Sequence, residues 1–415
     1  MALQKEIIPK RGEMVRLILE HVRPIGRAEL IPFDQACGRV CAEDAYSSNT
    51  LPNRPVSRFD GIAVRFADFA AGPPDTAGWR EGLEYAYGNT GIALPESYDT
   101  MIPIEDVTIH EVGIEVRAQP KYRGEMVNAV GENLRKGERL IAKGEVIAPA
   151  HVGLLAAGGV AEVCVFAKPR VGVIPTGDEL VPPTTDVAPG KNVETNSYMI
   201  AAYLEGWGAM PCRYPIVRDD PQAIRAALQN ALNENDAVVI IAGSSLGTKD
   251  YTLRVLGEMG EVVVPQLAHG PGRKSSLSVV GGKPVLGVAG PPLGAQITCD
   301  LYLAPFVSAL QGLLPVEMRT LEVIADDAFR PHEVDFCERV HIYQAKDGYH
   351  IRSAFAPKTT RAQMQALANG NFYRVAGTAC AAGGRTTVEL LCPPEYLPEG
   401  DMLTEILGED VKPYA

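Results

Sequence analysis

Three apolar, β-branched runs each end in a glycine-rich loop, and this repetition constrains the fold of the 415-residue chain more than any other feature. The first runs from Pro169 through Val171-Gly172-Val173-Ile174-Pro175 into Thr176-Gly177-Asp178-Glu179-Leu180. The second is Ala237-Val238-Val239-Ile240-Ile241-Ala242, followed by Gly243-Ser244-Ser245-Leu246-Gly247-Thr248-Lys249-Asp250. The third is Lys283-Pro284-Val285-Leu286-Gly287-Val288-Ala289, followed by Gly290-Pro291-Pro292-Leu293-Gly294. Continuous apolar runs of this length suit strands buried on both faces, as in parallel sheets. Glycines let backbone N–H groups approach a phosphate without a Cβ in the way. Carboxylates beside such loops, here Asp178, Glu179 and Asp250, suit a phosphorylated ligand with a divalent cation. Ligands of open α/β sheets bind at the carboxyl ends of the strands. Thr176, Gly177, Gly243, Ser244, Ser245, Gly247 and Gly290 are therefore candidate ligand-binding positions.

Around these runs the text alternates strand, loop and helix from 169 to 312, which predicts an α/β domain with a mostly parallel sheet. Helical spacing is expected over 196–207, 221–233 and 298–310, the second entered by Asp219-Asp220-Pro221 as cap and first-turn proline. Helices are also expected at 12–22 and, more briefly, at 150–158. Residues 1–168 form a composite N-terminal region. Within it, 46–135 is broken into short β-like segments by Gly and Pro, which predicts a small inserted β-rich domain. Residues 316–415 again give short alternating segments, expected as a C-terminal β-barrel or sandwich.

Length alone, at about 150 residues per domain, suggests roughly three domains. The net charge of -12 argues against nucleic acid as a partner, which would call for a basic face. No apolar run looks close to the roughly 18 residues that cross a bilayer, and the first residues lack the apolar core of a signal peptide. A cytoplasmic protein with no membrane association is expected. The eight cysteines are scattered, only Cys37 and Cys41 being close, and the seven histidines form no zinc-hydrolase spacing.

Further blocks carry a family likeness. Pro55-Val56-Ser57-Arg58-Phe59-Asp60-Gly61-Ile62-Ala63, Asn89-Thr90-Gly91-Ile92-Ala93-Leu94-Pro95, Gly131-Glu132-Asn133, Thr176-Gly177-Asp178-Glu179-Leu180, Gly243-Ser244-Ser245-Leu246-Gly247 and Pro271-Gly272-Arg273 occur in this order. Together they resemble the successive signatures of the molybdopterin molybdenumtransferase family, MoeA in bacteria and the gephyrin E domain in animals. The resemblance spans nearly the whole chain. It implies an elongated subunit, usually a homodimer, with an inserted β-rich domain, a central α/β molybdopterin-binding domain and a C-terminal β-barrel. It also implies a Mg²⁺-dependent reaction in which adenylylated molybdopterin and molybdate yield molybdenum cofactor and AMP.

Carried over by position, the likeness assigns Asp60, Glu179 and Asp250 to catalysis. Asp60, Asp219 and Asp250 fall to Mg²⁺, because a hard cation takes oxygen ligands. Thr90 becomes a donor from the inserted domain, and Arg273, with Lys274, an oxyanion contact. Asp178 points elsewhere and caps its turn, and Asp220 stands open between cap and ligand. Several positions depart from the family pattern. Asn133 replaces a carboxylate, Asn128-Ala129-Val130 replaces arginines, Gly270 replaces a lysine, and Gly290-Pro291-Pro292-Leu293-Gly294 lacks the family's Asn and Ser. Lys358-Thr359-Thr360-Arg361-Ala362 stands where a serine-rich segment is expected. Two readings follow: an insertase for molybdate or tungstate, and a relative that binds or carries a pterin cofactor without turning it over. A nucleotide-binding α/β protein outside the family leaves the ordered blocks unexplained.

Overall fold

The apolar runs do form strands, and the positions within each run divide alternately between two cores. In the computed structural model, residues 8–184, 186–242, 251–315, 318–330, 335–353, 372–376 and 379–390 are described. The chain divides into two units, one of residues 27–166 and one that joins residues 1–26 to 167–415. Helix α1 (Arg11–His21) belongs to the second unit: Met14, Ile18 and Val22, spaced four apart, are buried in the α/β core.

In the unit of residues 27–166, strand β1 (Ala28–Pro32) pairs antiparallel with β5 (Glu162–Phe166). Between them lies a three-stranded antiparallel sheet. Its centre is β2 (Gly61–Val64), flanked by β3 (Tyr85–Gly88) and β4 (Thr100–Pro103). Ile62, Val64, Phe69, Trp79, Tyr85 and Ile102 share one small core with Val107 and Ile114. Ala63 and Met101 turn into another with Leu94, Tyr98 and Val127. The helix expected at 150–158 is α2 (Pro149–Ala157), with Pro149 in its first turn.

In the other unit, β6 (Arg170–Pro175), β8 (Ala237–Ala242) and β11 (Lys283–Ala289) lie side by side and parallel, with β7 (Met210–Arg213) parallel on the far side of β6. Two further strands, β9 (Glu261–Val264) and β10 (Ser276–Val280), complete the six-stranded sheet antiparallel, giving the order β7-β6-β8-β11-β10-β9. One face carries Val171, Val173, Val239, Ile241, Leu286 and Val288 into a core with α1 and α3 (Asn196–Gly206). The other carries Ile174, Val238, Ile240 and Val285 against α4 (Pro221–Glu234) and α5 (Tyr251–Met259). Period-two alternation thus feeds two apolar layers. In α4 the residues answering it are Ile224, Leu228, Ala231 and Leu232, one helical stripe.

Asp220 caps α4, its Oδ1 accepting from Gln222 N at 3.0 Å and Ala223 N at 2.9 Å. Asp220→Ala is expected to cost about 1 kcal/mol, read as a lower urea midpoint with unchanged m. An unchanged midpoint would show that the cap contributes nothing.

The expected helix at 298–310 begins earlier, at Pro292, where a first-turn proline starts α6 (Pro292–Thr298). A π-helical stretch, Cys299–Leu303, leads into α7 (Ala304–Leu310). This 19-residue span, Pro292–Leu310, is long and apolar enough to cross a membrane, which corrects the expectation that no run is. Most of it is buried in the protein: Tyr302, Leu303 and Phe306 pack fully into the α/β core.

After it, β12 (Thr320–Ala325), β13 (Asp335–Ala345), β14 (Gly348–Ser353), β15 (Phe372–Ala376) and β16 (Arg385–Leu390) pair in a closed ring. β13 meets β14, β14 meets β12, β12 meets β16, β16 meets β15, and β15 returns to β13. On this ring His350 lies between two carboxylates, Nδ1 at 2.8 Å from Asp326 and Nε2 at 2.9 Å from Asp347. Tyr343 Oη and Arg352 Nε also donate to Asp326. The bond to Asp326 is the main cause that raises the His350 pKa above its ordinary value; burial opposes it and Asp347 adds to it. A raised histidine stabilises the fold fully below its unfolded value, about 6.5, and that contribution is lost as pH rises through the folded value. The Tm advantage of the natural chain over His350→Gln is therefore expected to be larger at pH 6 than at pH 9. An advantage that does not change with pH would contradict this.

Candidate active site

Asp60 and Thr90 come from different sequence blocks, and the fold brings them into direct contact. Asp60 immediately precedes β2, and Thr90 follows β3, its antiparallel neighbour, so the two loops emerge at the same end of the sheet. Asp60 Oδ1 accepts from the Thr90 backbone N at 2.7 Å and from Thr90 Oγ1 at 3.0 Å. These two bonds, the backbone one first, hold the Asp60 pKa below the usual carboxylate value. Asp60 is exposed, and its Oδ2 takes no hydrogen bond from any described residue. A charged oxygen is thus fixed in place and open to a ligand.

Gly61 is required for this arrangement. A Cβ there would stand 2.1 Å from the Ile102 carbonyl oxygen and 3.1 Å from Ile104 N. The same close approach lets Ile104 N donate to the Asp60 carbonyl at 2.9 Å. Nearby, Glu132 of the Gly131-Glu132-Asn133 block pairs with Arg58 and accepts from Ala129 N at 2.7 Å, while Asn133 is exposed.

In the other unit, the loop after β6 gathers three acids. Gly177 has φ +152°, and a Cβ on it would meet the Glu179 carboxylate at 2.9–3.0 Å, so its lack of a side chain lets Glu179 fold back over the loop. Asp219 N donates to Asp178 Oδ1 at 3.4 Å. Burial, more than any other cause, raises the Asp219 pKa, and the charges of Glu179 and Asp178 raise it further against a backbone bond from Asp178. A carboxylate held among carboxylates gains from a cation, which removes that repulsion.

Thr176, a candidate ligand-binding position, has its hydroxyl engaged within the fold. It is buried, and its Oγ1 donates to the Ile241 carbonyl at 2.8 Å, tying the loop to the end of β8. Gly290 gives its carbonyl to Asn196 Nδ2 at 2.7 Å. Arg273 is exposed on a turn whose carbonyl accepts from Leu267 N. Asp220 is a cap, as described above. Asp250, Gly243, Ser244, Ser245 and Gly247 lie outside the described residues, as does Lys358-Ala362. Among the described residues no three His, Cys, Asp or Glu side chains converge as a metal cage.

Sequence reasoning missed two cations. A cleft of about 690 Å³ opens beside the acidic loop, lined by Gly177, Asp178, Leu180, Lys191, Ile216 and Arg218, with Pro182 and Pro215. Lys191 Nζ donates to the Asp178 carbonyl at 2.7 Å, and Arg218 Nε lies 3.6 Å from Asp178 Oδ1. The signal was present: Arg218 directly precedes the Asp219-Asp220 pair, and Lys191 follows a Pro189-Gly190 turn.

Comparison with known proteins agrees with this layout. The profile described as "MoeA N-terminal region (domain I and II)" matches residues 10–159, and "Probable molybdopterin binding domain" matches 172–309. A putative molybdopterin biosynthesis protein of Methanocaldococcus jannaschii is 29% identical over 325 residues, covering 74% of this chain and 81% of its own. Haemophilus influenzae molybdopterin molybdenumtransferase is 28% identical over 298 residues, 69% of this chain and 74% of its own. Among solved structures, a molybdopterin biosynthesis MoeA protein from Pyrococcus horikoshii superposes with TM-score 0.74 at 26% identity, covering 93% of this chain and all of that one. With its sheet-rich and α/β parts in the same order as those profiles, the chain belongs to the MoeA family.

Proposed function

We propose that this chain is a molybdopterin molybdenumtransferase: it takes adenylylated molybdopterin and molybdate, and forms molybdenum cofactor with release of AMP. The observation that carries this proposal is the Asp60–Thr90 pair, a carboxylate pinned by two bonds with one oxygen left open. A protein that only stores a pterin has no need of a fixed cation-binding carboxylate. Named transferases among the relatives support the assignment.

The residues present suit Mg²⁺. In one unit Asp219, crowded by Glu179 and Asp178, is a hard oxygen donor, and in the other Asp60 with its open oxygen is another. By the family likeness Asp250 is a further candidate ligand. Mg²⁺ characteristically takes one or two carboxylates and completes its shell with phosphate and water; when bound it neutralises charge on the phosphoanhydride. The chain's own groups do the rest. Glu179 positions the substrate or holds a proton at its carboxylate. The family likeness makes Gly243, Ser244, Ser245 and Gly247 the phosphate contacts, through backbone N–H groups and hydroxyls, and Arg273 a further cation. Water, or an oxygen of the oxyanion, attacks one phosphorus of the anhydride, and the bridging P–O bond breaks. The proton released from water passes to Glu179, and AMP separates from the pterin phosphate. Where the oxyanion attacked, water then cleaves the mixed anhydride. The ring of strands after residue 316 is the family's C-terminal β-barrel, the parallel strands of 169–312 form its molybdopterin-binding domain, and 1–168 holds the inserted β-rich part. The active form is a cytoplasmic homodimer.

One set of observations favours a second reading, a pterin carrier or a tungstate insertase. Gly270 leaves no side chain where a lysine is expected, and Asn133 presents an exposed amide in place of a carboxylate. The test is AMP release from adenylylated molybdopterin with Mg²⁺, with molybdate, with tungstate and with neither. Release stimulated by molybdate is expected. Tight pterin binding without AMP release would establish a carrier, and stimulation by tungstate alone would rename the metal.

A further inference from the structure

The cleft beside Asp178 has a use that the carboxylates do not explain. It carries two cationic side chains, Lys191 and Arg218, against the one carboxylate of Asp178 among its lining residues. Lys191 is anchored by its bond to the Asp178 carbonyl, which leaves two of its three N–H donors for a ligand. Arg218 is held to Asp178 only at 3.6 Å and through Nε, with 85% of its side chain exposed. The terminal nitrogens of its guanidinium are the fork that binds phosphate oxygens in pairs. Asn128-Ala129-Val130 and Gly270 carry no positive charge. An anionic ligand still needs cations, and this cleft presents them at the carboxyl end of β6, where open α/β sheets take ligands.

We infer that Lys191 and Arg218 form a diphosphate-binding cleft, which in the proposed reaction receives the phosphoanhydride of the substrate, so that the assignment to substrate rests on that reading. Asp178 is the built-in competitor of the anion. In the free protein its carboxylate holds Arg218 back; on binding, the guanidinium moves from carboxylate to phosphate.

The test uses inorganic pyrophosphate as the probe, without Mg²⁺, titrated into the full-length chain by calorimetry. This binding experiment is independent of turnover, so its failure is distinct from a failure to release AMP. Lys191→Ala and Arg218→Ala are each expected to weaken binding about tenfold, and the double variant to abolish it. Asp178→Asn is expected to tighten binding several-fold, an effect that a merely structural role for Asp178 would not produce. Circular dichroism checks that each variant is folded. The same titration with molybdate separates the two oxyanion sources. Undiminished pyrophosphate binding in the double variant would overturn the inference, as would weaker binding in Asp178→Asn. Loss of molybdate binding alone would overturn the assignment to a diphosphate.

Discussion

Asp60→Ala is expected to slow AMP release from adenylylated molybdopterin by about 10²–10³-fold, the usual loss when one fixed electrostatic group is removed from a phosphoryl or acyl transfer site. The side chain is exposed and belongs to no apolar core, so the fold should survive and the loss should fall on kcat. Glu179→Ala is expected to act in the same direction, because it removes the carboxylate that folds back over Gly177. Thr90→Val separates geometry from charge: Asp60 keeps its carboxylate and the backbone N–H, and loses only the hydroxyl. The two Thr90 donors hold the Asp60 pKa down, so losing one lets it rise toward the ordinary value. A group with a depressed pKa loses its charge only at low pH; when the pKa rises, the acid limb of the rate profile moves to higher pH. Single-turnover rates across pH 4–8 check both points. Unchanged rates in Asp60→Ala and Glu179→Ala together would remove both residues from catalysis.

Gly61→Ala is the substitution expected to damage fold and site at once. Its Cβ would lie 2.1 Å from the Ile102 carbonyl oxygen and 3.0 Å from the carbonyl carbon, and both are backbone atoms of the neighbouring strand β4. No side-chain rotation relieves that contact. Either β4 moves away from β2, breaking the register Gly61 to Pro103 and Ile62 to Ile102, or the loop carrying Asp60 shifts. Overpacking of this kind costs about 1–3 kcal/mol, sometimes more, and AMP release should fall with it. Gly78→Ala is the control: nothing lies within 4 Å of a Cβ there and its φ is not positive, so its effect should stay within about 0.5 kcal/mol. Equal stability of the two variants, by thermal and urea unfolding, would contradict the packing account.

The central sheet was legible because burial on both faces leaves a strong mark: the runs ending at Pro175, Ala242 and Ala289 are the three adjacent parallel strands. Helix α4 was legible from Asp220-Pro221 and its apolar stripe. The antiparallel edge formed by β9 and β10 was not, since Glu261–Val264 is too short to distinguish from a loop by period alone. The stretch Gly290-Pro291-Pro292-Leu293-Gly294 read as a third glycine loop, but proline suits the first turn of a helix, and the helix starts there. In the site, Asp60 and Thr90 were found separately through their blocks; their hydrogen bond depends on the pairing of β2 with β3, which no local pattern states. Thr176 illustrates the reverse. Its glycine-loop setting made it a candidate ligand-binding position, and nothing local showed that the end of β8 takes its hydroxyl. Lys191 and Arg218 were passed over because a lone cation in a loop resembles any solvated charge until the folded chain puts two in one cleft.

The most direct measurement is a single turnover of the natural chain with adenylylated molybdopterin, Mg²⁺ and molybdate, following released AMP and pterin-bound molybdenum in the same sample. The insertase account predicts that the two appear together, at about one AMP per metal, and that both depend on the oxyanion. Pterin held tightly with neither product formed, or AMP released with no metal incorporated, would contradict it.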